Sequence, residues 1–360
     1  MLGTLQFGVV GLACVVLFVP MGMAGLHLSR NKILFFSGSL FISLAVIIHL
    51  TPYFPPIPDF LHSSPPLQKP VFYRQSCISH VHDVVFDVVP SELNNSQHDV
   101  NWGWDSRTKA VLDCEFQKLG SADVSELMNG SWVVVAGDSQ ARFFVLSLLE
   151  LVMDSEGMEM VRGELFKRHS NYRTLIDVIG MRLDYIWAPY ERNLTDLVED
   201  LGRNGSYPDV LVMGSGLWHM LHVTDTYDYG YRLRMLRSSV ASFVAKSSAF
   251  GSEGAVAGSG QIRSPHLFWL GMPMLISARM NTKEKKERMT NEMGDRYNTA
   301  LYGSRILRPS GPLQLIDVSS LSQKCGDRCT IDGIHYERAV YEAAVHVMFN
   351  ELLIESHQKL

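Results

Sequence analysis

The chain reads as an α/β protein, a doubly wound three-layer sandwich around a central, mainly parallel sheet. Three features predict this. Trp132-Val-Val-Val-Ala136 is a short, β-branched apolar run of the kind that suits a strand buried on both faces. Similar runs recur at Thr174–Val178, Asp184–Ala188, Val210–Met213, His266–Leu270 and Leu315–Val318. Helical patterns alternate with them at Phe143–Met153, Tyr231–Lys246, Glu284–Leu301 and Glu337–Leu353. Alternation of this kind places ligands beyond the carboxyl ends of the strands.

Composition bounds the rest. Of 360 residues, 46% are hydrophobic and only 19% charged, so part of the chain is built to avoid water. Lys and Arg total 32 against 37 Asp and Glu, and this net charge of −5 leaves no basic surplus for a phosphate backbone. No nucleic-acid partner is expected.

The apolar excess sits at the start. Met1–Leu26 and Ile33–Leu50 carry no charge, and Arg30 and Lys32 lie between them. About 18–20 apolar residues suffice to cross a bilayer as a helix. One or two transmembrane helices are expected in residues 1–50, with the 27–32 loop cytosolic under the positive-inside rule. Everything after Leu50 then lies on the far side of the membrane. A cleaved signal peptide is the competing reading, and it lacks its basic n-region. Pro52, Pro55, Pro56, Pro58, Pro65, Pro66 and Pro70 make residues 51–70 a stiff stalk. The body is expected to occupy 71–360 as one domain, with a Gly/Ser-rich surface loop at Gly251–Ser264.

A lumenal body agrees with two further signals. Sequons begin at Asn94, Asn129, Asn193 and Asn204. Outside the hydrophobic segment, which holds Cys14, the cysteines are Cys77, Cys114, Cys325 and Cys329. Four cysteines in an oxidising compartment permit two disulfides in three pairings; buried free thiols are the alternative.

Chemistry concentrates at two places. Gly137-Asp138-Ser139-Gln140-Ala141-Arg142 follows the first strong strand and opens a helix. Unpaired amides at a helix start can stabilise a developing oxyanion. Ser139 could also be a plain N-cap, and Ala141 removes the second glycine of a G-x-S-x-G elbow. Asp332-Gly333-Ile334-His335 precedes the last helix, and its spacing lets Asp332 reach back to the His335 ring. Ser139, His335 and Asp332 are therefore the candidate catalytic residues, with Gly137 and Asp138 bracing the turn. Arg142 is expected to orient the acyl group or its oxyanion, or else to form a salt bridge at the sheet edge. His219, His222 and Asp225 have a spacing that invites a metal, yet acyl transfer through serine requires none, and packing or a substrate rim is preferred.

The Gly137-Asp138-Ser139 turn with Arg142, together with Asp332-x-x-His335, resembles the PC-esterase branch of the SGNH/GDSL hydrolases. That branch includes the plant trichome-birefringence-like polysaccharide O-acetylation proteins. Leu183-Asp-Tyr-Ile-Trp-Ala-Pro-Tyr190 and Asp209-Val-Leu-Val-Met-Gly-Ser-Gly-Leu-Trp218 are similar to two further family segments. Two motifs depart from the pattern. Family members carry Asp-Cys-x-His-Trp where this chain has Asp332-Gly-Ile-His-Tyr336. Many read Asn-Thr-Gly-His-Trp-Trp where it has Gly214-Ser-Gly-Leu-Trp-His219, so Ser215 or the Gly216 amide would replace the asparagine donor.

The resemblance implies an SGNH-hydrolase-like fold and a Golgi-anchored enzyme. Its acceptor would be a cell-wall polysaccharide such as xyloglucan, and its chemistry would run through an acetyl-serine. No bound cofactor is expected, only an acetyl donor. An acetyl-transporting membrane protein and family acetyltransferases are the implied partners. Trp187, Tyr190 and Trp218 could stack against sugar rings or belong to an aromatic core. An acetyl esterase and a non-catalytic accessory protein remain alternatives.

Overall fold

The computed structural model describes residues 76–90, 98–252 and 265–358. The expected membrane helices, the stalk, Cys14 and Asn94 lie outside them. Arg74–Leu360 forms one compact unit. Among the described residues no helix is long and apolar enough to cross a membrane.

A two-stranded antiparallel hairpin comes first, β1 (Val84–Pro90) with β2 (His98–Trp104), in the register Val84 to Trp104. Two short helices follow, α1 (Lys109–Cys114) and α2 (Ser121–Leu127). The main sheet then begins with β3 (Trp132–Gly137), which feeds α3 (Ser139–Val152) and α4 (Ser155–Leu165). Next come β4 (Tyr172–Ile176), β5 (Met181–Trp187), α5 (Glu191–Arg203), β6 (Val210–Met213), α6 (Leu217–His222) and α7 (Thr226–Ser252). The chain closes with β7 (His266–Leu270), α8 (Lys283–Arg288), α9 (Asn291–Gly303), β8 (Gln314–Ile316), α10 (Val318–Cys325) and α11 (Arg338–Gln358).

Six strands lie in the order β4-β5-β3-β6-β7-β8. All neighbours are parallel except β4 and β5. The first strand of the parallel set is therefore flanked by the second and third, which makes the carboxyl end of β3 the switch point where a crevice opens. Side chains of β3 alternate between the two faces. Val133 and Val135 pack with Phe144, Leu148, Val345 and Phe349 of α3 and α11. Val134 and Ala136 pack with Leu194, Leu233, Leu236 and Tyr297 of α5, α7 and α9 on the opposite face. Three layers follow directly.

Several expected boundaries move, each for a local reason. The strand expected at Thr174–Val178 ends at Ile176 and pairs antiparallel with β5. Val178 instead sits in the connecting turn, where the Gly180 amide donates to Asp177 O and Gly180 takes φ +62°. The helix expected over Glu284–Leu301 is two helices, because Thr290 accepts from the Met293 amide and starts α9 afresh. Asp317 ends β8 early by capping α10 through the Ser320 amide. Gly251 and Ser252, expected in a loop, finish α7, and the rest of that loop lies outside the described residues. Two disulfides are present, Cys77–Cys114 and Cys325–Cys329. Asn129, Asn193 and Asn204 are all exposed at the surface.

Candidate active site

Gly137 ends β3 where no larger residue fits. A Cβ there would stand 2.7 Å from Gly214 O and 2.9 Å from Ala141 Cβ. Asp138 caps α3 by accepting from the Gln140 amide at 2.9 Å, and its carbonyl accepts from the Tyr185 hydroxyl at 3.1 Å. Burial pushes the Asp138 carboxyl up to about 6, against the Gln140 hydrogen bond. Ser139 becomes the first residue of the helix, half-buried, with an amide that has no intrahelical acceptor.

The segment before α11 is a tight loop closed on itself. Thr330 Oγ1 donates to His335 O at 2.6 Å and accepts from the Gly333 amide at 3.0 Å. Asp332 Oδ1 accepts the amides of Ile334 and His335 at 2.9 and 2.8 Å. Gly333 holds φ +77°, and a Cβ there would lie 2.2 Å from Ile276 O, so glycine is required. The loop presents Asp332 Oδ2 2.6 Å from His335 Nδ1 and His335 Nε2 2.7 Å from Ser139 Oγ. Burial raises the Asp332 carboxyl, but hydrogen bonds from the His335 ring and the His335 and Ile334 amides outweigh it. The group is held well below the usual carboxylate range.

Gln140 joins the two halves and was not picked out from the sequence. Its Nε2 donates to Ile334 O at 3.1 Å, and its Oε1 accepts from the Tyr341 hydroxyl at 2.7 Å. No local spacing signals it, because both partners lie some two hundred residues away. Phe143, one helical turn beyond Ser139, sits 5.3 Å from the His335 ring and stacks on Tyr341 at 5.2 Å. A cleft of about 560 Å3 opens on this side, lined by Phe143, Leu146, Arg162, Ile331, Asp332 and His335.

Arg142 is buried and forms no ion pair among the described residues, against the salt bridge considered for it. Its Nε and Nη2 have no hydrogen-bond partner. Ring faces of Trp187, Tyr185 and Phe166 surround the guanidinium at 5.1, 5.6 and 5.7 Å. Ser215 is 4% exposed, with an unpaired Oγ, so its hydroxyl does not face solvent as an open donor would. Gly216 turns at φ +129°, where a Cβ would strike Met272 Sδ at 2.5 Å. The asparagine of related motifs has no room at Gly214, since a Cβ there would stand 2.7 Å from Leu270 O.

Trp187, Tyr190 and Trp218 are half-buried and meet edge to face, at 5.4 Å for the two tryptophans and 6.2 Å for Tyr190 with Trp218. Exposed His169 stacks on Trp187 at 4.8 Å, and the Tyr190 hydroxyl lies 3.1 Å from His222 Nδ1. The three residues considered for a metal point elsewhere. His219 bonds Tyr297 and Asp228, and Asp225 accepts the amides of Tyr227 and Asp228 at the start of α7.

Fold and site together define an α/β protein with a serine, a histidine and an aspartate in line at the switch point of its sheet. No family model matches the chain. Its sequence is 54% identical over 376 aligned positions to Protein ALTERED XYLOGLUCAN 9 of Arabidopsis thaliana, spanning all of both chains. Solved structures with similar coordinates include a putative SGNH hydrolase from Slackia heliotrinireducens, at 12% identity and TM-score 0.37, over 62% of this chain and all of that one. An acetylxylan esterase from Geobacillus stearothermophilus gives 12% identity and TM-score 0.33, over 66% of this chain and 96% of that one. The chain belongs to the family of Protein ALTERED XYLOGLUCAN 9, the trichome-birefringence-like plant proteins.

Proposed function

We propose that the protein transfers acetyl groups to a cell-wall polysaccharide through an acetyl-Ser139 intermediate. The observation that carries this is the line of hydrogen bonds Ser139–His335–Asp332, 2.7 and 2.6 Å long. His335 Nε2 takes the Ser139 proton as Oγ attacks the acetyl carbonyl, and returns it to the departing alcohol of the donor. An acceptor hydroxyl then gives its proton to the same nitrogen, attacks acetyl-Ser139 and leaves as the ester, while His335 passes that proton to the released Ser139 Oγ. Asp332 holds the ring tautomer and balances the imidazolium charge. The Ser139 and Gly216 amides are the backbone donors for the oxyanion. Arg142, a buried cation ringed by Trp187, Tyr185 and Phe166 and within electrostatic reach of Asp138, orients the acyl group.

The relative's name supports xyloglucan as the acceptor class, and Trp187, Tyr190 and Trp218 supply aromatic faces suited to pyranose rings. The uncharged N-terminal stretches and the sequons support a membrane-anchored body outside the cytosol, and the family resemblance adds the Golgi as its compartment. An acetyl-transporting membrane protein is the proposed donor partner. Hydrolysis differs from transfer only in that water resolves the same intermediate.

The test is intact mass of the body after brief exposure to an activated acetyl ester. A gain of about 42 Da confined to protein with Ser139 is expected, and Ser139→Ala should show none. Adding xyloglucan oligosaccharide should clear the adduct with acetyl recovered on sugar. Recovery only as acetate identifies an esterase, and an adduct that survives Ser139→Ala sinks the nucleophile assignment.

A further inference from the structure

Glu191, the first residue of α5, is fully buried, and neither carboxyl oxygen has a hydrogen-bond partner. An unpaired ionised carboxylate at such a site costs several kcal/mol, so the group is expected to keep its proton. Burial does push it upward, opposed by its own amide, His219, Ser215 and Arg232. The groups around it are consistent with a neutral acid. His219 on α6 is already bonded to Tyr297 and Asp228, and Arg232 on α7 is bonded to Asp228. Tyr229 of α7 gives its hydroxyl to Ser215 O at 3.3 Å. Ser215 is the neighbour whose buried Oγ is likewise unpaired, and its hydroxyl acts on the Glu191 carboxyl.

The position of this pair gives it meaning. Glu191 follows β5 and Ser215 follows β6, and β3 lies between those strands. The loops that leave these two strands therefore flank the turn that carries Ser139. Trp187 and Trp218 join the same two loops, 5.4 Å apart. We infer that Glu191 is a positioning residue: as a neutral acid it donates to Ser215 Oγ and thereby fixes the Gly214-Ser215-Gly216 turn beside Ser139. Its effect on acylation rests on the acetyl-serine reading above; the contact itself does not.

The test has two arms. In the first, which needs no activity, the infrared carbonyl band of a protonated carboxyl is compared between wild type, Glu191→Gln and Ser215→Ala. The Glu191 component of the band, read in the difference spectrum because buried Glu351 also holds its proton, should disappear in Glu191→Gln and shift in Ser215→Ala. Hydrogen exchange of the 214–218 peptide should speed up in Glu191→Leu while the unfolding temperature holds. In the second arm, Glu191→Leu should slow acetyl-Ser139 formation about tenfold at saturating ester with little change in KM, and glutamine should restore most of that rate. No such component in the Glu191→Gln difference spectrum, or no response to Ser215→Ala, overturns the contact. Unchanged exchange in Glu191→Leu overturns the positioning. Wild type that forms no adduct, with the first arm intact, removes the acetyl-serine reading and leaves the contact standing.

Discussion

Gln140 and Tyr341 are bonded at 2.7 Å across 201 residues of chain. The same Gln140 side chain also donates to Ile334 O, so the residue next to Ser139 grips both the His335 loop and the helix after it. Replacing Gln140 by leucine keeps the volume and leaves the Tyr341 hydroxyl proton without an acceptor and the Ile334 carbonyl without a donor, while the Tyr341 oxygen still accepts from the Tyr336 amide. A loss of about 2–4 kcal/mol is expected, read as a shift in denaturant midpoint. Acylation should fall further than stability alone accounts for at low temperature, because the Ser139–His335 distance is no longer pinned. An unchanged midpoint would show that the two bonds are dispensable.

Asp332→Asn keeps the outline of the loop but offers the wrong hydrogen-bonding group to His335 Nδ1. Acetyl-Ser139 formation should drop about 10^3–10^4-fold while circular dichroism stays that of wild type. The Asp332 carboxyl is held low in the folded state. Its stabilising contribution is thus present above the ordinary carboxylate value, near 4, and is lost as pH falls below it. The unfolding temperature of Asp332→Asn should therefore depend less on pH in that acid range. A parallel pH dependence in both proteins would contradict the assignment.

Asp138 behaves in the opposite sense. Its folded value is raised to about 6 by burial, so the stability tied to its neutral form is complete below pH ~4 and is lost as pH rises through about 6. Asn caps a helix as well as Asp does and has no proton to lose. Asp138→Asn should gain on wild type between pH 4 and 6, the gain reaching about 3 kcal/mol by pH 7. Thermal melts across that range decide it, and a constant offset would refute the titration.

Gly333→Ala places a Cβ against Ile276 O in a left-handed backbone position. Destabilisation above about 2 kcal/mol is expected, with loss of acylation because Asp332 and His335 flank the residue. Equal activity at unchanged stability would mean that the loop relaxes freely.

Much of this site can be read from local spacing. Gly137-Asp138-Ser139 and Asp332-x-x-His335 each place their groups within one turn of backbone, so the chemistry shows in the order of residues. Gln140 and Glu191 work through partners distant in sequence, which no window of ten residues contains. The β1–β2 hairpin escaped because His98-Asp-Val-Asn-Trp-Gly-Trp104 is polar and broken by glycine. Helix α5 was legible but not singled out: Leu194, Leu197, Val198 and Leu201 recur at i, i+3, i+4 and i+7 and all pack on the core. The cysteine pairing was open among three choices until the fold brought Cys77 to Cys114 and Cys325 to Cys329.

Ser139 and His335 stand at the two ends of the body, 196 residues apart. During synthesis the serine turn therefore emerges well before its base. A ribosome-bound or prematurely terminated product would carry every strand of the main sheet and still hold an inert hydroxyl. Reactivity toward acyl esters would then begin only once His335 has been made and folded against Ser139, which shields the growing chain from acylation at this serine.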